Sequence, residues 1–519
     1  MSPLIVMKRY LSKMSDLNSN KDEQVCSSVG LALSGGGFRA ASFHVGVLKR
    51  LEELEILDQI KLVSTVSGGS ITGALHALNC VNFGNGSPGG SSIDLLFDQV
   101  TQIVSQNFRG KALFGTPRRA FISLGSFVYS GLSRASLLAQ ELDRQAYSQV
   151  TLDMLPDWVL INATNLATGK SWKFFNDKAG DFLVGATSQT HQIKISEAVT
   201  ASAAYPILTN PYQFKTSWKD MDIELLDDRW SRPPASFPNG AKSWRKAHSG
   251  ELDSVVFPLA DGGMYDNEGL NGLRSARIQN IIYASTTTPH DYYSGAKGPK
   301  SLMRMIEVLH DRLGAVTRQH AHEMTHRQDP TSLGVSLSTI AFELDGYANL
   351  LSLENDKMVD SKVNLSKRLK EISASLTRFS GVGFPPRGHQ YRSIAPILLH
   401  RKDLSRNLAN QYDDPIETPV HLRGIDESLV DDLARVRTDL DAYAPEVVEL
   451  LIAQAYFLTD YNLRIGMPNL FKKDGKNVAS ASDAGWKWAI DVISRANDCL
   501  ATTKEILISA ADRKLFGHS

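Results

Sequence analysis

A chain of 519 residues is too long for one ordinary core, so two or three domains, or one large domain carrying a sizeable extension, are expected. Its 56 lysines and arginines balance its 56 aspartates and glutamates, which removes any whole-chain electrostatic reason to expect a nucleic-acid partner. Cys26, Cys80 and Cys499 are too few and too scattered for a disulfide framework and suit a reducing compartment, and no run reaches the roughly 18 uncharged apolar residues that span a bilayer, so a cytoplasmic protein with at most peripheral membrane contact is expected.

Residues 1–27 are polar and read as a loosely held leader. Their apolar patch at 4–7 is followed, not preceded, by Lys8 and Arg9, the wrong order for a secretory signal. Order is expected from Val29, where an apolar run ends in Gly35, Gly36 and Gly37. Ala40, Phe43, Val47, Leu51 and Leu54 then keep helical spacing. Residues 60–66 read as a short buried strand; Ser67, Gly68 and Gly69 follow, and Ser70, Ala74, Leu75 and Leu78 continue as a second helix. Strand, helix, strand, helix implies a parallel sheet with helices on its faces.

Residues 83–92, rich in glycine and serine, read as a flexible insertion. After it, Arg109, Lys111, Arg118 and Arg119 alternate with Leu113, Phe114, Phe121, Ile122 and Phe127. That mixture suits anionic headgroups and the acyl boundary, and it equally suits an amphipathic cap over the sheet. Residues 158–163 and 171–175 read as a hairpin-like pair across Thr168 and Gly169. An irregular loop with Pro233, Pro234, Pro238 and Gly240 separates them from short buried strands at 255–259 and 281–284, so the sheet is expected to run to about residue 290.

Beyond it, stripes at Leu302, Ile306, Leu309, Leu313 and Val316, at Leu429, Leu433, Val436 and Leu440, and at Trp486, Ala489, Ile493, Ala496 and Leu500 predict a mostly helical extension over 291–519. Ser482 or Asp483 is expected to cap the last helix. Residues 393–400 read as a strand, placed at an edge by Pro396.

The chemistry begins at Ser67. A serine hydroxyl needs a base to become a nucleophile and works best on a sharp turn between strand and helix. Ser67 has that setting, although Thr65 stands where such elbows usually carry a first glycine; a serine in a helix-capping turn is the other reading. Upstream, Gly35, Gly36 and Gly37 open a helix, where glycine lets backbone N–H groups turn toward negative charge. No lysine followed by serine or threonine completes a phosphate loop, and the dinucleotide glycine spacing is missing, so an oxyanion hole is the better use. Asp261, directly after an apolar strand and before Gly262 and Gly263, is a candidate base, or a turn aspartate serving its own backbone.

Taken together these pieces resemble the patatin-like phospholipase family, whose members pair a serine with an aspartate beside a glycine-rich oxyanion loop. Residues 34–40 are similar to the oxyanion segment, 67–70 to the nucleophile turn and 261–263 to the aspartate motif; 162–169 and 198–206 match two further signatures between them. The resemblance covers roughly 28–290, with 425–464 similar to closing helices of many members. It implies a three-layer α/β core with a mainly parallel central sheet. Ser67 would be nucleophile and Asp261 base, with the backbone of Gly35, Gly36 and Gly37 as oxyanion hole. Gly68, Gly69, Gly262, Gly263 and Arg39 support them, Arg39 as the anchor of a loop or of a substrate phosphate. The substrate would be a phospholipid or lysophospholipid met at a membrane surface, and neither a metal nor another cofactor is called for. His44 and His76 are not required and read as helix-borne core or surface residues. The helical extension is where a regulatory ligand or protein would act.

One competing signal belongs to another class. His322, Glu323 and His326 fit His-Glu-x-x-His, which on a helix aims two imidazoles at zinc. Its flanks, Gln319, His320, Arg327, Gln328 and Asp329, make a polar surface, and neither Glu343 nor Glu354 is marked as a third ligand, so a solvated helix end is the plainer reading. A lipid-binding module that kept the fold without catalysis is the third alternative, opposed by the intact Ser67 and Asp261.

Overall fold

The computed structural model describes residues 29–126, 133–206, 209–230, 254–278, 280–286, 331–336, 425–466 and 485–511, with a few isolated positions besides. The leader, the strand expected at 393–400 and the motif at His322, Glu323 and His326 lie outside the described residues.

β1 (Val29–Leu33) is buried throughout, as an apolar strand covered on both faces must be. A sharp glycine turn leads into α1 (Gly37–Glu53), and β2 (Ile60–Val66) leads through Ser67 into α2 (Gly68–Phe83). Then come α3 (Ile93–Val104), α4 (Phe108–Phe114), α5 (Pro117–Gly125) and α6 (Arg134–Leu142). β3 (Val159–Asn165), β4 (Lys170–Phe174), β5 (Ala179–Asp181) and β6 (Gly185–Thr187) follow as an antiparallel run. After α7 (Ile195–Ser202), β7 (Tyr212–Ser217) pairs antiparallel with β8 (Ser254–Asp261). Two short helices, α8 (Gly263–Asp266) and α9 (Leu270–Ser275), precede β9 (Asn280–Ser285).

The centre of the sheet runs β9, β1, β2, β3, all parallel. A further strand, β10 (Thr331–Ser336), pairs in parallel with β9, Thr331 opposite Asn280. The sheet therefore takes a strand from beyond residue 290, at 331–336, in an extension expected to be mostly helical with its one strand at 393–400; six residues with a central glycine give too little apolar alternation to signal it. Period-two alternation divides the faces. Val29, Leu31 and Leu33 point into the larger core with α1 and α2, whereas Ala32 joins Leu62, Leu160, Leu270 and Leu273 beneath α9.

The carboxyl-terminal helices are α10 (Glu427–Ala434), α11 (Pro445–Gly466), α12 (Lys487–Asp498) and α13 (Leu500–Ala511). α11 lies along α1, so closely that a side chain at Gly46 would collide with the Ile452 carbonyl. At the far end of α1, buried Arg50 donates to Asp460 of α11 at 2.7 and 2.9 Å and to Glu53 at 2.8 Å. α10 stops at Ala434. Val436 and Leu440, expected on its apolar stripe, sit instead in an irregular strap over 435–443. The final helical segment starts after Trp486, with a break at Cys499, not at Ser482 or Asp483. Residues 83–92 hold no regular structure beyond the end of α2, yet they are pinned: His76 Nε2 donates to Pro88 O at 2.8 Å and Trp158 Nε1 to Gly86 O at 2.7 Å. No helix among the described residues is long and apolar enough to cross a membrane.

Candidate active site

The geometry of β3 brings residues 67 and 261 together. β4 pairs with β3 across Ile161 to Asn165, which fills one edge of that strand. β2 and β8 must therefore share the other edge. β2 runs parallel to β3 and ends with Val66 opposite Asn162; β8 arrives antiparallel and ends with Asp261 opposite Ala163. The two strands meet end to end, so the chain ends that carry Ser67, one residue past β2, and Asp261, the last residue of β8, lie side by side on β3. A side chain at Gly262 would lie 3.2 Å from Val66 Cγ1 and collide with Asn162 O, which measures how closely the two chain ends approach.

Ser67 stands at φ 51°, ψ −119°, a conformation that L residues rarely adopt. It stands at the N-cap position of α2, but its side chain makes no capping hydrogen bond. The turn is fixed by its backbone: Ser67 N–H donates to Ser202 Oγ at 2.8 Å, and Ser67 O accepts from Ser70 N–H at 2.9 Å. Thr65, the departure from the usual elbow, is buried and donates to Leu160 O at 3.0 Å; its methyl has room because residue 73 on α2 is glycine.

The glycine loop lies against the serine. A Cβ at Gly35 would be 3.3 Å from Ser67 Cβ, and one at Gly68 would collide with Gly37 O. Gly36 and Gly37 have φ of 139° and 57°, which a side chain would oppose. The Gly35 amide is already engaged, donating to Asn267 O at 3.0 Å. Among the described residues the amides of Gly36 and Gly37 donate to no other group. Gly69 makes a similar close approach, to Leu33 O.

Asp261 is 3% exposed. Gly263 N–H donates to its Oδ1 at 2.7 Å and fixes the carboxylate's rotation; Asp261 N–H and Gly262 N–H are held by Ala204 O and Ser202 O, each at 3.0 Å. Farther along the same segment, burial pushes Asp266 up to about 6.

Arg39 is buried beside the loop, and its guanidinium donates to Ala434 O at 2.7 Å, Val436 O at 2.9 Å and Thr286 O. Charge at the start of a helix opposes the helix dipole; three carbonyls offset that cost, and the side chain anchors the strap. Phe38 N–H reaches Asp439 O at 3.1 Å, so the strap covers the outer side of the glycine loop. His44 and His76 are buried, each committed through Nε2 to a carbonyl, Ser34 O and Pro88 O, and burial lowers both to about 4. Neither is available as a base.

Sequence reasoning did not assign roles to Ser202, Asn162 or Asn267. All three lie in or beside segments that the motif comparison marked, but their hydrogen-bond partners are about 40 to 230 positions away, a separation that no local pattern reports. Among the described residues no group of three or more His, Cys, Asp or Glu is placed to hold a metal ion.

The family model described as patatin-like phospholipase matches residues 31–274. Among solved structures the chain is similar to human GIVD cytosolic phospholipase A2 at 14% identity and a TM-score of 0.33, over 51% of this chain and 43% of that one. The same human enzyme, in complex with methyl gamma-linolenyl fluorophosphonate and terbium chloride, aligns at 15% identity and a TM-score of 0.31, over 50% and 41%. VipD from Legionella pneumophila aligns at 12% identity and a TM-score of 0.25, over 94% of each chain. This chain thus spans about two fifths of the human structures it matches. No curated protein matches it.

Proposed function

We propose that this chain, whose residues 31–274 match the patatin-like phospholipase family model, is a lipid acyl hydrolase that cleaves an acyl ester of a phospholipid or lysophospholipid through a covalent acyl-serine intermediate. The observation that supports this reading is the end-to-end meeting of β2 and β8 on one edge of β3, with Val66 opposite Asn162 and Asp261 opposite Ala163, the residue that follows Val66 being Ser67. Ser67 Oγ attacks the ester carbonyl while the Asp261 carboxylate accepts its proton. The carbonyl oxygen, now negative, is met by the N–H groups of Gly36 and Gly37; losing one such donor typically costs on the order of 100- to 1,000-fold in rate. The tetrahedral centre collapses, the alcohol leaves with the proton returned by Asp261, and water then attacks acyl-Ser67 with Asp261 taking its proton. Fatty acid departs and the hydroxyl is restored.

The lipid surface is met, in this reading, by the corner of α4 and α5. Phe121 is 71% and Leu124 64% exposed, and Phe114 and Arg118 are exposed beside them. Apolar side chains turned to solvent next to a cation suit a peripheral contact with an anionic bilayer. Arg119, the other arginine of this stretch, is committed to Glu141 at 2.9 Å and stays with the protein. Burial pushes Glu141 up, but hydrogen bonds from Arg144, Gln145 and Arg119 outweigh it and hold the carboxyl down at about 2.

One experiment tests both parts: mass spectrometry of lipid products from anionic vesicles and from a dispersed short-chain ester. The wild-type chain should release fatty acid from both, also with chelator present. Ser67→Ala and Asp261→Asn should lose at least about 1,000-fold on both, and Arg118→Glu with Phe121→Asp should lose activity on vesicles alone. Fatty-acid release that survives Ser67→Ala, or that disappears with chelator, overturns the mechanism; equal vesicle activity in the surface variant overturns the docking face.

A further inference from the structure

Ser67 is held at positive φ, a strained backbone conformation of the kind that persists only where the surroundings over-determine it. The group that fixes it is Ser202, the last residue of α7 and fully buried. Its hydroxyl donates to Asn162 O at 2.6 Å, and its oxygen accepts the Ser67 N–H at 2.8 Å. Ser70 Oγ is 2.9 Å from the same oxygen and 3.0 Å from Thr65 Oγ1, which itself reaches Leu160 O. Three hydroxyl protons thus serve four contacts. Both outer contacts end on carbonyls, which only accept, so they take the Thr65 and Ser202 protons; the Ser70 proton is shared between its two neighbours. Ser202 is therefore always oriented with its lone pairs toward Ser67 N–H.

The same stretch of chain holds the opposite partner. Ser202 O accepts Gly262 N–H and Ala204 O accepts Asp261 N–H, each at 3.0 Å. One end of one helix is bonded to the amide of residue 67 and to the amides of residues 261 and 262. We propose that Ser202 is a positioning residue that sets the separation and orientation of the Ser67 hydroxyl and the Asp261 carboxylate. This rests on the reading of Ser67 as nucleophile. Without the hydroxyl, Ser67 N–H is left buried and unpaired and its turn relaxes toward ordinary φ, carrying Oγ away from the carboxylate; a displacement of about 1 Å is enough to cost on the order of 100-fold in rate.

The test compares Ser202→Ala, Ser202→Cys (similar volume, weak acceptor), Ser202→Thr (hydroxyl kept) and Ser70→Ala in the full chain. Three quantities are read: kcat and KM on a soluble ester, the second-order rate of fluorophosphonate labelling at Ser67 located by peptide mass spectrometry, and hydrogen exchange of the peptide that contains the Ser67 amide. Ser202→Ala and Ser202→Cys should lower kcat and the labelling rate together by about 10- to 100-fold, with KM within about twofold, and speed exchange at residue 67. Ser202→Thr should recover most of the rate, and Ser70→Ala should change it by less than about threefold. Wild-type labelling rates in both the alanine and cysteine variants overturn the inference alone. So does an equal loss in Ser70→Ala, which would mean packing of the hydroxyl cluster and not the bond to Ser67. If the wild-type chain is not labelled at Ser67, the nucleophile reading falls, and this inference with it.

Discussion

Two imidazoles stand close to the candidate site and belong to its stability, not its chemistry. Carbonyl oxygens only accept, so Nε2 of His44 and His76 must carry the proton, and the buried Nδ1 of His44 has no partner among the described residues. Charging His44 would place an unpaired donor in the core, and charging His76 would leave its second N–H only the Cys80 sulfur, 3.9 Å from Nδ1, in a site closed to water. The unfolded chain binds a proton near the ordinary value of 6.5, whereas the folded chain resists until about 4. Unfolding therefore takes up protons in that window, and stability present above pH 6.5 is lost as pH falls toward 4, by up to about 3 kcal/mol for each ring. Urea unfolding between pH 7.5 and 5 should show this decline, and the His44→Gln, His76→Gln double variant should flatten it; a wild-type stability unchanged across the range would contradict the assignment. The identities of Ser67, Asp261 and the glycines were legible in sequence because each sits at a turn after an apolar run. The commitment of the Gly35 amide to Asn267 O was not, since it joins positions 232 apart.

At the scale of elements, the strap over 435–443 shows tertiary bonding overriding local pattern. Leu429, Leu433, Val436 and Leu440 keep helical spacing, yet α10 ends at Ala434. The carbonyls of Ala434 and Val436 are taken by Arg39, and that of Asp439 by Phe38 N–H. The far side is held as well: Leu440 O accepts Arg109 N–H at 3.1 Å, and the Arg109 side chain pairs with Asp441. The strap is thus fastened to the start of α1 and to α4, with Thr438 and Asp439 packed on Gly37. Arg39→Met should cost at least about 3 kcal/mol, because three carbonyls lose a charged donor and remain partly buried. Arg39→Lys should recover little of it, since an ammonium on a flexible stem does not reproduce the planar fork. Limited proteolysis should then cut within 435–443 much faster than in the wild type, and fatty-acid release should fall as the cover over Gly37 lifts. Unchanged cleavage in Arg39→Met would show that the strap is held by other contacts.

For the molecule as a whole, the alternation of strands and helices was readable up to β9, because central parallel strands are continuous apolar runs such as residues 29–33 and 60–66. The meeting of β8 with β3 was not readable, since Asp261 and Ala163 are 98 positions apart and their pairing is set by the shape of the finished sheet. Nor was the destination of α11. Its Val447, Val448, Leu451, Ile452 and Ala455 are fully buried in one cluster with Val45, Val47 and Leu48 of α1, and the buried Arg50 to Asp460 pair ties their far ends. Removing one partner of such a pair leaves an uncompensated charge, at about 3–5 kcal/mol. A chain cut after residue 290 would expose that face of α1, strand Arg50 and remove the strap and β10 together. Such a fragment, although it contains every residue of the family match, should lack a cooperative unfolding transition and should not release fatty acid, whereas co-expression with residues 425–519 should restore both. A fragment ending at 290 that unfolds cooperatively and keeps wild-type turnover would show that α11 and the strap are accessories to a self-sufficient core.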